Sequence, residues 1–270
     1  MNGKLLAAIN SSVRLFEWTP EKELRLECSH FNFITALYLK TKGDFVLAGD
    51  IMRSVCLLAY KSVESTFEEI ARDYNPNWMT SVEIIDEDTF LGAENSFNMY
   101  TVQKDSAATT DEDRMRLQGV GAYHLGEMVN VFRRGSLVMN HVTGESGPPV
   151  HTPILYGSVE GGLGLIAQLP EDYYKFVHDL EARIAKSTTN ALRVEHTVYR
   201  SFTTEKRTEP VNGFVDGDLV ETLLDLPRDL VGQIVQGIHL PVGAVENTSS
   251  REGGTVDQVI KLVEDLARIH

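Results

Sequence analysis

The chain has 270 residues, 42% hydrophobic and 24% charged, which excludes a disordered tail or a fibrous repeat and suffices for a sizeable core without disulfide or metal staples. Its 39 acidic residues against 25 basic ones give a formal net charge of −14, and no Lys/Arg-rich run gathers the basic groups, so close approach to a phosphate backbone is disfavoured. Two cysteines, Cys28 and Cys56, sit in apolar-alternating segments and read as small hydrophobes, not as a disulfide pair.

At the N-terminus MNGKLLAAIN holds a five-residue apolar run, too short for a signal-peptide core, and no apolar stretch approaches the ~18 residues of a membrane span. A soluble intracellular protein with no membrane partner is expected, and the sequons at Asn10 and Asn247 are then incidental. From residue 4 to about 168 short strands follow one another. They run LLAAI, VRLFEW, LRLEC and ITALYL, then FVLAG, VCLLAY, FEEIA and MTSVEII, then TFLGA and FNMYTV, and later VNVF, SLVM, ILYGSV and LGLIAQL. VRLFEW at Val13, VCLLAY at Val55 and FNMYTV at Phe97 recur every 42 residues, and Thr35 and Thr80 lie 45 apart in ITALYL and MTSVEI. A period of ~40–45 with four strands per unit is the signature of propeller blades.

Two polar inserts stretch the repeat, KDSAATTDEDR at 104–114 and NHVTGESGPPVHTP at 140–153, and both read as exposed loops. Beyond them the period changes. Tyr173, Val177, Leu180 and Ile184 recur at helical spacing in PEDYYKFVHDLEARIAK. A second helix starts near FVDGDLVETLLDL, capped by Asp216 or Asp218, and Pro227 suits the first turn of a third. The last opens at Thr255 with Gln258 three residues on, a capping box, and buries Val256, Val259, Val263 and Leu266. The expected fold is mainly β followed by α: residues 1–170 as several blades of an incomplete WD40-like β-propeller ring, and residues 171–270 as a C-terminal helical domain.

The search for chemistry yields no catalytic constellation, so an enzyme is not expected, nor a cofactor or a metal. No Walker, His-Glu-x-x-His, Cys-x-x-Cys or dinucleotide pattern occurs. Gly161-Gly162-Leu163-Gly164 reads as a tight turn, and Gly144-Glu145-Ser146-Gly147-Pro148 carries proline where a nucleophile elbow needs glycine. Asp86-Glu87-Asp88 and Asp111-Glu112-Asp113 lack EF-hand spacing and read as solvated turns, as do Arg133-Arg134 and Lys206-Arg207. His178 and Asp179 are adjacent on a helix and do not face each other.

A propeller offers a face instead. Loops joining second to third strands emerge on the same side as loops joining a fourth strand to the next blade, which gathers Arg53, Arg72, Tyr74, Trp78, Phe31 and Phe33 on one rim. These are the residue types of interface hot spots. Trp78 reads either as a structural indole capping the blade or as an exposed ring held in place by the rigid turn Asn75-Pro76-Asn77, and Arg53 and Arg72 serve either a partner or local pairing with Asp50 or Asp73.

At these residues the chain resembles the C-terminal part of the damage-specific DNA-binding protein family, the large subunits of UV-damaged-DNA-binding complexes and adaptors of cullin-4-type RING ubiquitin ligases. The resemblance rests on NGKLLAAINSSVRLFEWT (2–19), LKTKGDFVLAGDIMRSV (39–55), EEIARDYNPNWM (68–79), FLGAEN (90–95), QKDSAATTDE (103–112), TEPVNGFVDGDL (208–219) and the terminal RIH. It weakens at 140–153 and 240–254. It implies a three-propeller protein in which the first and third propellers grip a helical element of WD40-type substrate-receptor subunits. By position, Asn32, Ile34, Arg53, Arg72, Trp78 and Asn130 look like third-propeller residues lining that cleft. The propeller that binds the cullin scaffold has no counterpart here, and contact with damaged DNA would be indirect.

The resemblance thus implies a non-catalytic interaction module of DNA-damage response and ubiquitin-dependent turnover, nuclear and also cytoplasmic. The alternative is a nucleic-acid-associated scaffold, because the large subunits of the cleavage/polyadenylation and splicing machineries share this C-terminal architecture.

Overall fold

The structure, a computed structural model, describes residues 3–137, 150–188, 193–242 and 254–269. Residues 138–149, which hold the end of the expected SLVM strand, most of the second insert and the Gly144–Pro148 motif, and the sequon at Asn247 lie outside the described residues.

Antiparallel sheets account for most of the first half. Strands β1 (Lys4–Ile9), β2 (Ser12–Trp18) and β3 (Leu24–Phe31) form a three-stranded meander. Strands β4 (Ala36–Lys42), β5 (Phe45–Asp50), β6 (Val55–Lys61) and β7 (Thr66–Arg72) form a four-stranded one, as do β8 (Met79–Ile84), β9 (Thr89–Glu94), β10 (Asn98–Lys104) and β11 (Leu117–His124). The expectation of a mainly β half holds. The strand of ITALYL opens the second sheet by pairing with β5, so the second and third sheets begin one strand earlier than the sequence grouping had them. Equivalent strands β2, β6 and β10 start at residues 12, 55 and 98, a repeat of 43 against the 42 read from the sequence.

The repeat extends to irregularities. Glu27, Ile70 and Val120 are the extra residues where pairing shifts between β2 and β3, β6 and β7, and β10 and β11. A bulge at the same place in each sheet adds twist in step. Asn10, Ser54 and Phe97 take left-handed backbone at φ 50°, 57° and 67° in the turns before β2, β6 and β10. Strand β11 was not foreseen, because Gly119, Gly121 and Ala122 in LQGVGAYH dilute its strand propensity. Pairing with β10 supplies what propensity does not.

Sheet faces close over two apolar clusters. Val13, Val46, Ala48, Cys56 and Leu58 belong to one, and Leu47, Leu57, Val82, Phe90, Tyr100 and Phe202 to the other. Gly92 lies opposite Tyr100 on the neighbouring strand, and a Cβ there would meet the Tyr100 ring at 2.6 Å, so the glycine makes room for the ring.

The first polar insert is shorter than expected as a loop. Thr110 accepts the Asp113 N–H and caps a one-turn helix α1 (Asp111–Arg114), and β11 follows. Strands β12 (Val129–Arg134), β13 (His151–Ser158) and β14 (Leu163–Gln168) make a further three-stranded sheet, so the end of the second insert, His151–Pro153, is strand.

Helix α2 (Glu171–Ser187) buries Tyr173, Val177, Leu180 and Ile184, as its periodicity predicts, and Phe176 besides. A short helix α3 (His196–Tyr199) and a hairpin of β15 (Phe202–Thr203) and β16 (Thr208–Glu209) follow. Then come α4 (Gly217–Glu221), capped by Asp216, α5 (Arg228–Val235) after Pro227, and α6 (Val256–Ala267) with the Thr255/Gln258 capping box. The chain divides into two compact units: residues 1–133, 156–163 and 200–213, and residues 134–155, 164–199 and 214–270. The hairpin β15–β16 thus belongs to the strand-rich unit, where Asn212 bridges Ala122 and Phe202 is fully buried. In the other unit Leu180, Ile184, Leu223, Ile234, Val235, Val259 and Val263 form a separate apolar core.

Candidate protein-interaction site

The connections between strands are knit together by their backbones. Ala36 N–H donates to Asn10 O (2.8 Å), Ile51 N–H to Thr35 O (3.0 Å), Ser54 N–H to Asn77 O (3.1 Å) and Asn95 N–H to Trp78 O (3.0 Å). The turns before β2, β6 and β10 therefore share one rim with the β3–β4 and β7–β8 connections. Asp50, fully buried at the end of β5, accepts the Ile34 N–H at 2.6 Å and the Met52 N–H at 3.0 Å, which fixes both neighbouring loops at once.

On this rim Arg72 is only 5% exposed. Its Nε and Nη2 donate to the two carboxylate oxygens of Glu69 at 2.8 and 3.0 Å, Nη2 also donates to Asn32 O at 3.1 Å, and the guanidinium lies 5.4 Å from the Phe33 ring centre. Nη1 is buried with no partner among the described residues. Glu69 also receives Asn32 Nδ2 at 3.0 Å and lies 3.3 Å from His30 Nε2. Burial alone would raise its carboxyl, but the hydrogen bonds from His30, Arg72 and Asn32 overcome that and hold it far below the ordinary value. Beside this pair opens a cleft of about 420 Å³ lined by Asn32, Met52, Arg53, Arg72, Tyr74 and Pro76.

Three of the six residues expected from sequence, Asn32, Arg53 and Arg72, line that cleft together. Ile34 is exposed on the loop that Asp50 fixes, and Trp78 is 48% exposed at the end of the β7–β8 connection. Asn130 stands exposed on β12, and among the described residues no hydrogen bond joins it to the other five. Arg53 is exposed without an ion pair among the described residues, whereas Arg72 pairs with Glu69, not with Asp50 or Asp73 as the sequence suggested. Phe33, expected on the rim, is buried beneath Arg72, while Phe31 and Tyr74 are exposed.

Sequence reasoning missed Glu69 and a buried network behind the rim. Ser54 Oγ donates to Asp73 Oδ2 at 2.5 Å and lies 2.6 Å from the Tyr100 hydroxyl. Burial pushes the Asp73 carboxyl up, against hydrogen bonds from Ser54 and Asn75 and the charge of Arg207. The recurrence of an acid at the end of equivalent strands, Asp50 on β5 and, 44 residues on, Glu94 on β9, which likewise caps its turn through the Ser96 and Asn98 N–H groups, could have flagged these acids as structural. Among the described residues no group of three or more His, Cys, Asp or Glu side chains could hold a metal, and no helix is long and apolar enough to cross a membrane.

A family model described as the CPSF A subunit region matches residues 1–225. The chain belongs to that family. It is 52% identical over 269 residues to DNA damage-binding protein 1 of Drosophila melanogaster, covering 100% of this chain and 23% of the relative. It is 44% identical over 274 residues to DNA damage-binding protein 1 of Solanum lycopersicum and 45% identical over 273 residues to DNA damage-binding protein 1a of Arabidopsis thaliana. In both cases the match covers 100% of this chain and 24% of the relative, so the chain spans about a quarter of the length of these relatives.

Proposed function

We propose that this chain is a non-catalytic protein-interaction module: the part of a cullin-RING ubiquitin-ligase adaptor that grips substrate receptors, acting in DNA-damage response and ubiquitin-dependent turnover in the nucleus and cytoplasm. The sheets of residues 1–170 are successive blades of a propeller, and residues 171–270 a helical domain. The cullin scaffold is bound by a propeller outside this chain, and damaged DNA is met through partners. The observation that carries the reading is the cleft lined by exposed Arg53 and buried Arg72, on the same rim as half-exposed Trp78. An exposed guanidinium such as that of Arg53 favours a carbonyl or carboxylate of an incoming chain, and an exposed indole favours its apolar face. Identity of 52% and 44% over the whole of this chain, though over only about a quarter of each relative, to proteins called DNA damage-binding protein 1 supports the same reading.

The test is capture of a labelled helical peptide from a WD40-type substrate receptor. Replacing Trp78 with Ala weakens capture by about 2 kcal/mol or more if the indole is a hot spot. Unchanged affinity removes Trp78 from the site.

The match to the CPSF A subunit region favours a second reading, a nucleic-acid-associated scaffold of the cleavage/polyadenylation type. A salt-sensitive gel shift with bare duplex or RNA supports it, and the net charge of −14 argues for none.

A further inference from the structure

Lys206-Arg207 reads in sequence as a solvated basic turn, and Lys206 is exposed as that reading requires. Arg207 is not. Its guanidinium stands 4.7 Å from the centre of the fully buried Phe202 ring, Nη2 donates to Asn77 Oδ1 at 3.3 Å, and Nη1 lies 3.3 Å from a Glu209 carboxylate oxygen. Nε is buried without a partner among the described residues. The turn that presents Arg207 is closed by Thr204, whose N–H donates to Arg207 O at 2.9 Å and whose Oγ1 accepts the Arg207 N–H at 3.2 Å. Phe202 in turn packs edge-on against Tyr100 at 6.5 Å, so the hairpin is anchored in the sheet core.

Asn77, 130 residues away in sequence, is the residue before Trp78 and is buried. Its carbonyl accepts the Ser54 N–H, and its Nδ2 lies 3.5 Å from Ser54 Oγ. An asparagine amide has a donor end and an acceptor end, and a guanidinium can only donate, so Arg207 sets which end of Asn77 faces it and which faces Ser54. Burial raises the Asp73 carboxyl of the same network, and the Arg207 charge acts against that rise.

We propose that Arg207 is a positioning residue for the partner site: by clamping the Asn77 side chain from the β15–β16 hairpin it holds the loop that presents Trp78. This rests on the partner-binding reading above. The planar cation stacked on Phe202 is pre-organised, so its hydrogen bond to Asn77 costs little side-chain freedom. A loop held from both sides keeps its indole in one orientation before a partner arrives, which removes part of the ordering cost of binding.

The chain has two tryptophans, Trp18 and Trp78, so Trp18→Phe in the full chain leaves Trp78 as the sole indole emitter. In that background Arg207→Ala is expected to raise acrylamide quenching of Trp78 about twofold and lower its anisotropy, as a loosened loop does. Arg207→Lys restores at least half of the change, and capture of the labelled receptor peptide weakens about fivefold with Arg207→Ala as the pre-organisation is lost. Asn77→Ala, which removes the side-chain acceptor of Arg207 together with the Nδ2 contact to Ser54, gives the same quenching change and serves if Arg207→Ala fails to fold. Quenching and anisotropy unchanged in Arg207→Ala, or in Asn77→Ala, overturn the proposal whatever the peptide does. A quenching change with capture unaffected by both Arg207→Ala and Trp78→Ala rejects the partner site and leaves the clamp on the loop standing.

Discussion

Glu69 and Arg72 lie three residues apart on one strand and still meet side by side, Nε to Oε1 at 2.8 Å. Strand alternation alone would point them to opposite faces. Leu58 pairs with Glu69 and Leu57 with Ala71, so Ile70 is the extra residue of a bulge that resets the alternation and brings acid and base to one side.

Breaking that pair from one side strands a charge. Glu69→Ala is expected to cost about 3–5 kcal/mol because buried Arg72 loses its counter-charge. Glu69→Leu combined with Arg72→Met should lose much less than the two single losses added together. Urea unfolding of the two single variants and the double variant measures both statements, and strict additivity would refute the coupling.

Arg53 provides the contrast. It is exposed and has no ion pair among the described residues. Arg53→Ala is expected to change unfolding free energy by under about 0.5 kcal/mol. Receptor-peptide capture should fall in the same variant, so a thermal melt and a binding isotherm on one sample separate the two arginines.

Carboxylates divide by the sign of their shift. Glu69 has a folded-state pKa below its unfolded value, so its contribution is complete above the ordinary carboxylate range and is lost only as pH falls through that depressed value. Burial pushes Asp73, Glu94 and Glu181 the other way. The folded state holds their protons more tightly, so stability rises as pH falls through their raised values toward the ordinary 3.8 and 4.5. The urea midpoint should therefore gain from these groups as pH falls from neutrality toward those ordinary values, and Asp73→Asn should shrink that gain. A midpoint that only falls on acidification over this window would contradict the assignment.

Gly92→Ala places a methyl group against the Tyr100 ring at 2.6 Å. Overpacking of this kind costs about 1–3 kcal/mol. Adding Tyr100→Leu, which removes the ring, should make the Gly92→Ala step nearly neutral in calorimetric melts.

Helix α6 offers an independent check on the other unit. Thr255 accepts the Gln258 N–H and Gln258 returns a bond to the Thr255 N–H. Thr255→Ala should cost about 1 kcal/mol, and Thr255→Ser much less. Hydrogen exchange at the first turn of α6 would report the loss locally.

The strands of VRLFEW and VCLLAY were legible because their alternation is undiluted, and α6 because its cap and apolar stripe agree. Strand β11 was not, since its glycines speak against a strand until β10 lies beside them. The bulges carry no sequence mark, and so the partner of Arg72 was sought among Asp50 and Asp73 when it was Glu69. Phe33 looked like a rim aromatic, but only the three-dimensional course of the β3–β4 loop tucks it under Arg72. Arg207 was hidden for a related reason: two-residue strands leave no periodic trace, and nothing in Thr204–Arg207 announces a contact 130 residues away.

The rim is tied together by backbone groups, from Ile51 N–H to Thr35 O and from Asn95 N–H to Trp78 O. Peptide groups are the same whatever side chain they carry. Selection can therefore exchange Ile34, Arg53 or Phe97 to suit new ligands without redrawing the loops, and an engineer could randomise those positions as one would the tips of an antibody.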